Sequence, residues 1–588
     1  MPKGIAVSPG IAIGTAYVID EIFVDPNSKR LEDFEVTGDL ARYETARDKA
    51  NADLKILERK VANQVGADEA QIFGSHQAIL RDPAFTKKIR GWIVDDRLSA
   101  QVALQRLLEE YTDILSHTKD EYLRERLNDV RDVVVRVGSQ LSPLADPNQT
   151  KLTGPQIIVA DELLPSQSVA LDNVDVHGIV TQSGSQTSHA AIIARSRGIP
   201  AVSGIKGLLR TVKTGDTIVV DGRDGHVEIN PNSESLAAFR KLEREFFDLQ
   251  DRLVENRHLR DVTTDDVEMR LQANVNSVAD AKAACAVGAS GVGLYRTEYL
   301  YLTHPNIPDE DEQFEVYRQV IAASPNNHIT IRTLDIGGDK TVPYLGHHHN
   351  EANPFMGWRS IRLSFEHPEF FYTQVRSVIR AAAEFSDGTV RLMFPMVTNV
   401  EEVKKLRTMV HRAYKQLQSR GKKSKKYSEI PLGVMIEVPA AAVTIDAILP
   451  SVDFVSIGSN DLIQYLMAAD RDNPKVSHLC QPLAPAVLRI LQQVITACER
   501  ANKPVTLCGE MAGQPKSFLL LLGMGLRRFS MSPAFIPSVK QLARMVSIVE
   551  AQQMLAAVMK LTTTRQVQMF MTRQIERLAP DLTLLDTP

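Results

Sequence analysis

Five cations, two carboxylates and a thiol in the second half of the chain are residue types that could do chemistry together. Arg296, Arg332, Lys340, Arg359 and Arg471 supply fixed positive charge, and Glu437 and Asp461 supply hard oxygen donors. The set suits a small, highly charged anion bridged to a divalent metal, because guanidinium groups fork onto oxyanions and Mg²⁺ takes one or two carboxylates beside substrate oxygens and water. Cys508, in LCGEMAG, is either a thiol facing the same place or a small buried hydrophobe. In the first half, His189 stands in SGSQTSHAAIIARSRGIPAV, a Gly/Ser/Thr loop leading into an Ala-rich segment that reads as helical. Such a loop offers N–H and hydroxyl donors to a phosphate. Imidazole also accepts a phosphoryl group covalently, since one ring nitrogen is an uncharged nucleophile near neutral pH. Taken singly, each residue reads as well as a rim salt bridge, a buried thiol or a solvated loop histidine.

Eight short apolar runs give these groups a common frame: MRLQANV (269–275), GVGLYR (291–296), ITIRTLD (329–335), VRLMFPM (390–396), GVMIEV (433–438), DFVSIG (453–458), PVTLC (504–508) and RRFSM (527–531). Most are separated by enough chain for a helical crossover, so a closed (β/α)₈ TIM barrel is expected. Barrels of this kind carry their chemistry at the C-terminal strand ends and in the loops that follow. Arg296 ends the second run, Arg332 and Asp335 the third, Glu437 lies near the end of the fifth, Asn460 and Asp461 follow the sixth, and Cys508 ends the seventh. Charges scattered over a surface would not fall so regularly.

The first half is built differently. Residues 4–20 alternate apolar pieces with Gly4, Pro9, Gly10 and Gly14, a strand with tight turns. Leu40, Tyr43, Ala50, Leu54, Leu57 and Val61 then recur at helical steps, as do the apolar residues of 99–115, so a helical bundle is expected. Strand signals return with QIIVA and HGIVTQ, and TIVVDGRDGHVEIN predicts a hairpin. The simplest organisation is an α/β domain (1–29 and 146–230) interrupted by a helical domain (30–145), since exposed loops tolerate insertions. A helical linker (231–262) with a narrow stripe of Phe239, Leu242, Phe246, Leu249 and Leu253 leads to the barrel (263–575) and a short tail (576–588).

At 588 residues the chain exceeds one ordinary core, and 44% hydrophobic with 24% charged residues is a globular balance. A net charge of −4 gives no electrostatic reason to expect nucleic acid, and the run Lys422 to Lys426 reads as a solvated loop. No apolar stretch approaches a membrane span, the start MPKGIAVSPG lacks the apolar core of a secretory signal, and four cysteines without paired spacing fit a reducing, cytoplasmic compartment.

In TSHAAIIAR (187–195), GLYRTEYLY (293–301), RTLDIGGDK (332–340), NPFMGWRSIR (353–362), DFVSIGSNDLIQYLMAADR (453–471), CGEMAG (508–513) and LLLLGMG (519–525), the chain resembles the enzyme I family of the bacterial phosphotransferase system. These enzymes are phosphoenolpyruvate (PEP)–protein phosphotransferases among the PEP-utilising enzymes. The resemblance runs from GIAVSPGIAIG to about residue 575. It implies a multidomain α/β fold in which a swivelling phosphohistidine domain, with an inserted helical bundle, precedes the barrel. It further implies that His189 is phosphorylated through Nε2, and that Arg296, Arg332, Asn460 and Arg471 bind PEP with Lys340 and Arg359 nearby. Glu437 and Asp461 would hold Mg²⁺, with Asp461 also lying at the substrate, and Cys508 would protonate the enolate to give pyruvate. The implied partners are a small histidine-containing phosphocarrier protein, docked by the helical domain, and a second copy of the chain, through the barrel.

The chain departs from the family pattern at Ser185, where a second glycine is common before TSH, and at Ser459, where threonine is more usual. The run His347, His348 and His349 reads as a solvated loop. Two relatives within the same chemistry compete with this reading. A pyruvate, phosphate dikinase or PEP synthase needs a large nucleotide-binding domain, whereas the chain is expected to open at the phosphohistidine domain and lacks a glycine-rich phosphate loop. A nitrogen-type regulatory paralogue usually carries an extra N-terminal sensory domain. A scaffold that had lost activity would need a defect at a site whose residues are all present.

Overall fold

The computed structural model describes residues 3–18, 30–64, 76–116, 130, 133–134, 136–138, 140–141, 154–160, 175–183, 191, 194, 198–303, 307–337, 353–471, 473 and 475–585. Among them, seven strands form one sheet and eight close a barrel.

The sheet comprises β1 (Ile5–Ser8), β2 (Ile11–Val18), β3 (Gln156–Ala160), β4 (Val176–Thr181), β5 (Ala201–Ser203), β6 (Thr217–Asp221) and β7 (His226–Ile229), in the order β1-β5-β4-β3-β2-β6-β7. Both faces are covered, so β3 is buried at every position and reads as a continuous apolar run. β6 and β7 form the expected hairpin, with Asp221 opposite His226. β2 and β3 are parallel neighbours, yet between them the chain builds the helices Asp33–Gln64, Pro83–Val94 and Ala100–Ser116. These pack through Tyr43, Ala50, Leu54, Ile89, Ala103, Leu104 and Leu107, the residues of the 3.6-residue pattern that come to one side. The helix Ser233–Glu255 buries Phe246, Leu249 and Leu253, and its Glu243 accepts a hydrogen bond from the Ile13 N–H of the sheet at 2.9 Å.

The barrel strands are β8 (Arg270–Val275), β9 (Val292–Arg296), β10 (His328–Arg332), β11 (Thr389–Phe394), β12 (Leu432–Ile436), β13 (Phe454–Ile457), β14 (Val505–Leu507) and β15 (Arg528–Met531). All neighbours are parallel, and β15 pairs with β8 to close the ring. Side chains alternate between an outer layer packed under the helices, such as Leu271, Ile329 and Phe529, and the interior, where Leu294, Met393, Met435, Phe454 and Cys508 cluster. Crossover helices begin where the sequence supplies reciprocal caps. Asn399 accepts from the Glu402 N–H while the Glu402 side chain accepts from the Asn399 N–H, and Asp309 and Glu312 do the same, each cap adding about 1 kcal/mol to its helix. The first unit approaches the barrel at its C-terminal face, where a Cβ placed on Gly198 would lie 3.1 Å from the Ala534 Cβ in the loop after β15.

No helix among the described residues is long and apolar enough to cross a membrane. The four cysteines are free. In the basic run, Lys422, Lys423 and Lys426 are exposed and Lys425 donates to the Phe385 carbonyl, the behaviour of a solvated loop.

Candidate functional site

The C-terminal ends of the barrel strands gather a buried network of guanidinium and carboxylate groups. Arg332 ends β10, and Asp335 follows it in the next loop. The Arg332 Nη2 lies 2.6 Å from Glu298 Oε1 and its Nη1 3.1 Å from Asp335 Oδ2, with all three residues at most 5% exposed. Burial opposes the Arg332 charge, but Glu298, Asp335 and Glu437 outweigh it and hold its pKa above the ordinary value. Asp335 also takes both oxygens to Arg359 Nη2, each at 3.0 Å, and accepts a short hydrogen bond from the Ser360 hydroxyl. Ser360 sits at φ +58° and ψ −126°, a backbone region costly for serine that this contact helps to hold.

The same network reaches β13 and its following helix. Asp461 lies 3.5 Å from Arg359 and 3.1 Å from Arg471 Nη1, and Arg359 Nη1 donates to the Tyr465 hydroxyl at 3.2 Å. Asn460 accepts from the Glu510 N–H at 3.0 Å, which ties the β13 end to the β14 end. Glu437, just past β12, is 1% exposed and accepts from the Met396 N–H at 2.6 Å. Burial, then Asp461 and Asp335, push its pKa up to about 8 against the pull of Arg332 and Arg359. Arg296, half-buried at the end of β9, makes no ion pair with another described residue. Of the four arginines it is the one whose charge is most open to a ligand.

Cys508 follows β14 directly and is 2% exposed. Its Sγ accepts from the Ser456 hydroxyl at 3.1 Å, and its carbonyl accepts from Asn274 Nδ2 at 2.9 Å. Burial raises the thiol to about 11, with Ser456, Arg332 and Arg296 acting the other way, so it stays protonated at neutral pH. The next residue must be glycine. A Cβ at Gly509 would fall 1.8 Å from the Ser459 hydroxyl, so a side chain here would force apart the two strand ends that carry Cys508 and Asn460.

The electrostatics define what this cavity can take. With Glu437 protonated, the guanidinium groups of Arg296, Arg332, Arg359 and Arg471 outnumber the carboxylates of Glu298, Asp335 and Asp461 that face them, a set that suits an anion. Glu437 and Asp461 repel each other closely enough to raise Glu437, which is the arrangement a hard cation relieves. With two carboxylates, Glu437 and Asp461, such a cation would complete its shell from water and substrate oxygens, as Mg²⁺ does. The donor set therefore fits Mg²⁺.

Residues 250–548, just over half of the chain, match the family model described as "PEP-utilising enzyme, PEP-binding domain". The chain belongs to the PEP-utilising enzymes. Residues 3–126 and 152–225 match the N-terminal and mobile domains of the same family. Among curated PEP-utilising relatives, the phosphoenolpyruvate–protein phosphotransferase of Listeria monocytogenes is 39% identical over 565 residues, spanning 96% of this chain and 97% of its own. The proteins of that name from Staphylococcus carnosus and Mycoplasma capricolum are 38% and 36% identical, with the same coverage.

Arg332, Arg359, Glu437, Asp461, Arg471, Arg296 and Cys508 thus come together on one face of the barrel, and Asn460 stands beside them. His189, Lys340, Ser185 and the run His347 to His349 lie outside the described residues. Sequence reading missed Glu298, Tyr465 and Ser456, and assigned Asp335 a place without a role. Glu298 was detectable in principle: it is an acid two residues past a strand-end arginine, within the buried GLYRTE segment.

Proposed function

We propose that this chain is a PEP–protein phosphotransferase that takes the phosphoryl group onto His189 and passes it to a histidine of a small phosphocarrier protein. The observation that carries this reading is near-full-length identity of up to 39% to proteins of that name, joined to a barrel face whose charges and thiol suit PEP. Arg296, Arg332, Asn460 and Arg471 bind PEP, with Lys340 and Arg359 beside it. Glu437 and Asp461 hold Mg²⁺, which supplies positive charge at the phosphate when bound.

In the proposed step, His189 Nε2 forms a bond to phosphorus while the bond from phosphorus to the enol oxygen breaks. The arginines are already oriented by Glu298 and Asp335, so they stabilise the departing charge without rearranging. The Cys508 thiol, protonated and buried, then gives its proton to the enolate carbon to yield pyruvate. The resulting thiolate lies within the field of Arg296 and Arg332. Residues 1–29 with 146–230 carry His189, residues 30–145 dock the phosphocarrier, and 231–262 let the carrier domain move between the two. The barrel pairs with a second copy of the chain, and the enzyme works in the cytoplasm.

Incubation with labelled PEP and Mg²⁺ tests the reading: acid-labile label on His189 is expected, and its absence overturns it. Cys508→Ala should slow pyruvate formation roughly 10²–10⁴-fold while PEP binding persists, and an unchanged rate removes the acid role. The raised Glu437 pKa makes a second, independent expectation. Mg²⁺ requires the ionised carboxylate, so its affinity should climb as pH rises to about 8 and then level. In the metal-free protein the sign is reversed. A carboxyl whose folded pKa is raised from 4.5 to about 8 contributes stability at acid pH that is lost as pH rises through that window. Melting curves of the wild type and Glu437→Gln across that window check this, and parallel pH profiles would contradict it.

A further inference from the structure

The opposite, N-terminal pole of the barrel holds a group of basic side chains that PEP chemistry does not use. Leu271, Ile329, Val390, Leu392 and Phe529 belong to the outer apolar layer, so Arg270, His328, Arg391 and Arg528, each one residue away, face the interior. Arg270, His328 and Arg528 open their strands, and Arg391 is the third residue of β11. Arg270 and Arg528 are direct cross-strand partners on β8 and β15, while Thr389 and Arg391 of β11 register with His328 and Thr330 of β10. Between these two pairs runs β9, preceded by Gly291 and containing Gly293. A Cβ at Gly291 would press on His328 and one at Gly293 on Ser530, so glycine leaves the two pairs facing each other. Above them the Phe454 ring closes the interior, with the Arg391 guanidinium 5.5 Å from its centroid.

Among the described residues, no carboxylate is paired with the group. None of the three arginine side chains forms an ion pair or hydrogen bond with another described residue, and Arg528 Nη1 is buried without a partner. Their electrostatic neighbours are one another. Burial, then Arg391 and Arg270, lower Arg528 to about 10, still a cation at neutral pH, and Arg391 and His328 are lowered in the same way. Like charges held together in a partly desolvated mouth are costly, and the buried Arg332 and Arg359 at the other end of the barrel each have an acid against them. Arg270 is exposed, so the group opens to solvent on one side.

We propose that this pole binds a small, multiply charged oxyanion, a phosphate group, between the guanidinium groups of Arg270, Arg391 and Arg528, with His328 beside it. Planar donors converging from three strands offer the forked hydrogen bonding that a tetrahedral oxyanion takes, and the ligand supplies the charge the strands lack. The site is separate from the PEP site, across the apolar layer of Leu294, Met393, Met435 and Phe454.

Thermal melting of the full chain, at ionic strength held constant with NaCl, tests this with two probes, inorganic phosphate and glycerol 3-phosphate. The midpoint should rise with at least one probe, in the wild type and equally in Arg296→Ala, which disables the opposite face. A rise with only inorganic phosphate points to the free ion, and a rise with the monoester to a phosphorylated metabolite. Arg528→Glu places an acid among the cations. It should melt higher than the wild type without phosphate and show no phosphate dependence. Arg528→Gln, which keeps the shape, should weaken the apparent affinity at least tenfold and carries the test if the Glu variant does not fold. The proposal is overturned if neither probe shifts the wild type. It is equally overturned if the shift survives both Arg528 substitutions or disappears in Arg296→Ala alone.

Discussion

His189→Ala should leave no acid-labile phosphate on the protein after incubation with PEP and Mg²⁺, and should lower pyruvate formation by roughly 10⁴-fold or more. PEP affinity should change by no more than about threefold, since uniform binding is separate from the step that needs the acceptor. The reason is spatial. The groups assigned to PEP lie at the ends of β9, β10 and β13 and in the loops beyond, whereas His189 lies in the chain after β4 of the other unit. Titration of the variant with PEP, read by calorimetry beside the label assay, checks both halves. Loss of binding in parallel with loss of label would show that the histidine is part of the PEP site and would remove the two-site mechanism.

Asp335→Asn is expected to be nearly as damaging, although the resemblance gives Asp335 no role. Its carboxylate is the one group that touches Arg332, Arg359 and the Ser360 hydroxyl together, at 1% exposure. Asparagine keeps the shape and loses the charge. Removing one partner from a buried ion pair costs about 3–5 kcal/mol, because the charge left behind has no water to return to. Glu298 still holds Arg332 and Asp461 still lies near Arg359, so the fold should survive with a lower melting midpoint. kcat/KM for PEP should fall by about two to three orders of magnitude, given about 1.4 kcal/mol per tenfold. As a positioning residue it should leave the Cys508 protonation step intact, while loss of its charge beside Glu437 should move the rise of Mg²⁺ affinity to lower pH. Asp335→Glu should not restore the rate, because an extra methylene moves the carboxylate off both guanidinium groups. A variant with wild-type kcat/KM would show that the arginines are held by the other acids alone.

Part of this architecture is readable along the chain because its signals are local. A parallel strand buried on both faces writes an apolar run ending in a polar residue, and β9, β10 and β12 do so at Arg296, Arg332 and just before Glu437. The helices between β2 and β3 write their buried stripe through Tyr43, Ala50 and Leu54, spaced by the helical turn. Gly222 and Gly225 mark the β6–β7 hairpin because only a turn uses such residues there. Ion-pair partners leave no such trace. Arg359 meets Asp335 across 24 residues and Arg332 meets Glu298 across 34, and nothing in either neighbourhood says which acid each will take.

What the amino-acid order determined by itself was therefore the inventory and its frame: a barrel whose strand ends carry cations, acids and Cys508, and a separate loop carrying His189. Burial periodicity and turn chemistry act over a few residues, so they survive in one dimension. Only closure of the ring, with β15 laid against β8, decided which charges share a low-dielectric space. That closure neutralises Arg332 and Arg359 with Asp335, raises Glu437 and Cys508, and leaves Arg296 open to a ligand. At the other end of the same strands it brings Arg270 and Arg528 side by side, with no acid of the described residues paired to either. Coulomb energies depend on distance and on exclusion of water, and neither exists until distant strands have met.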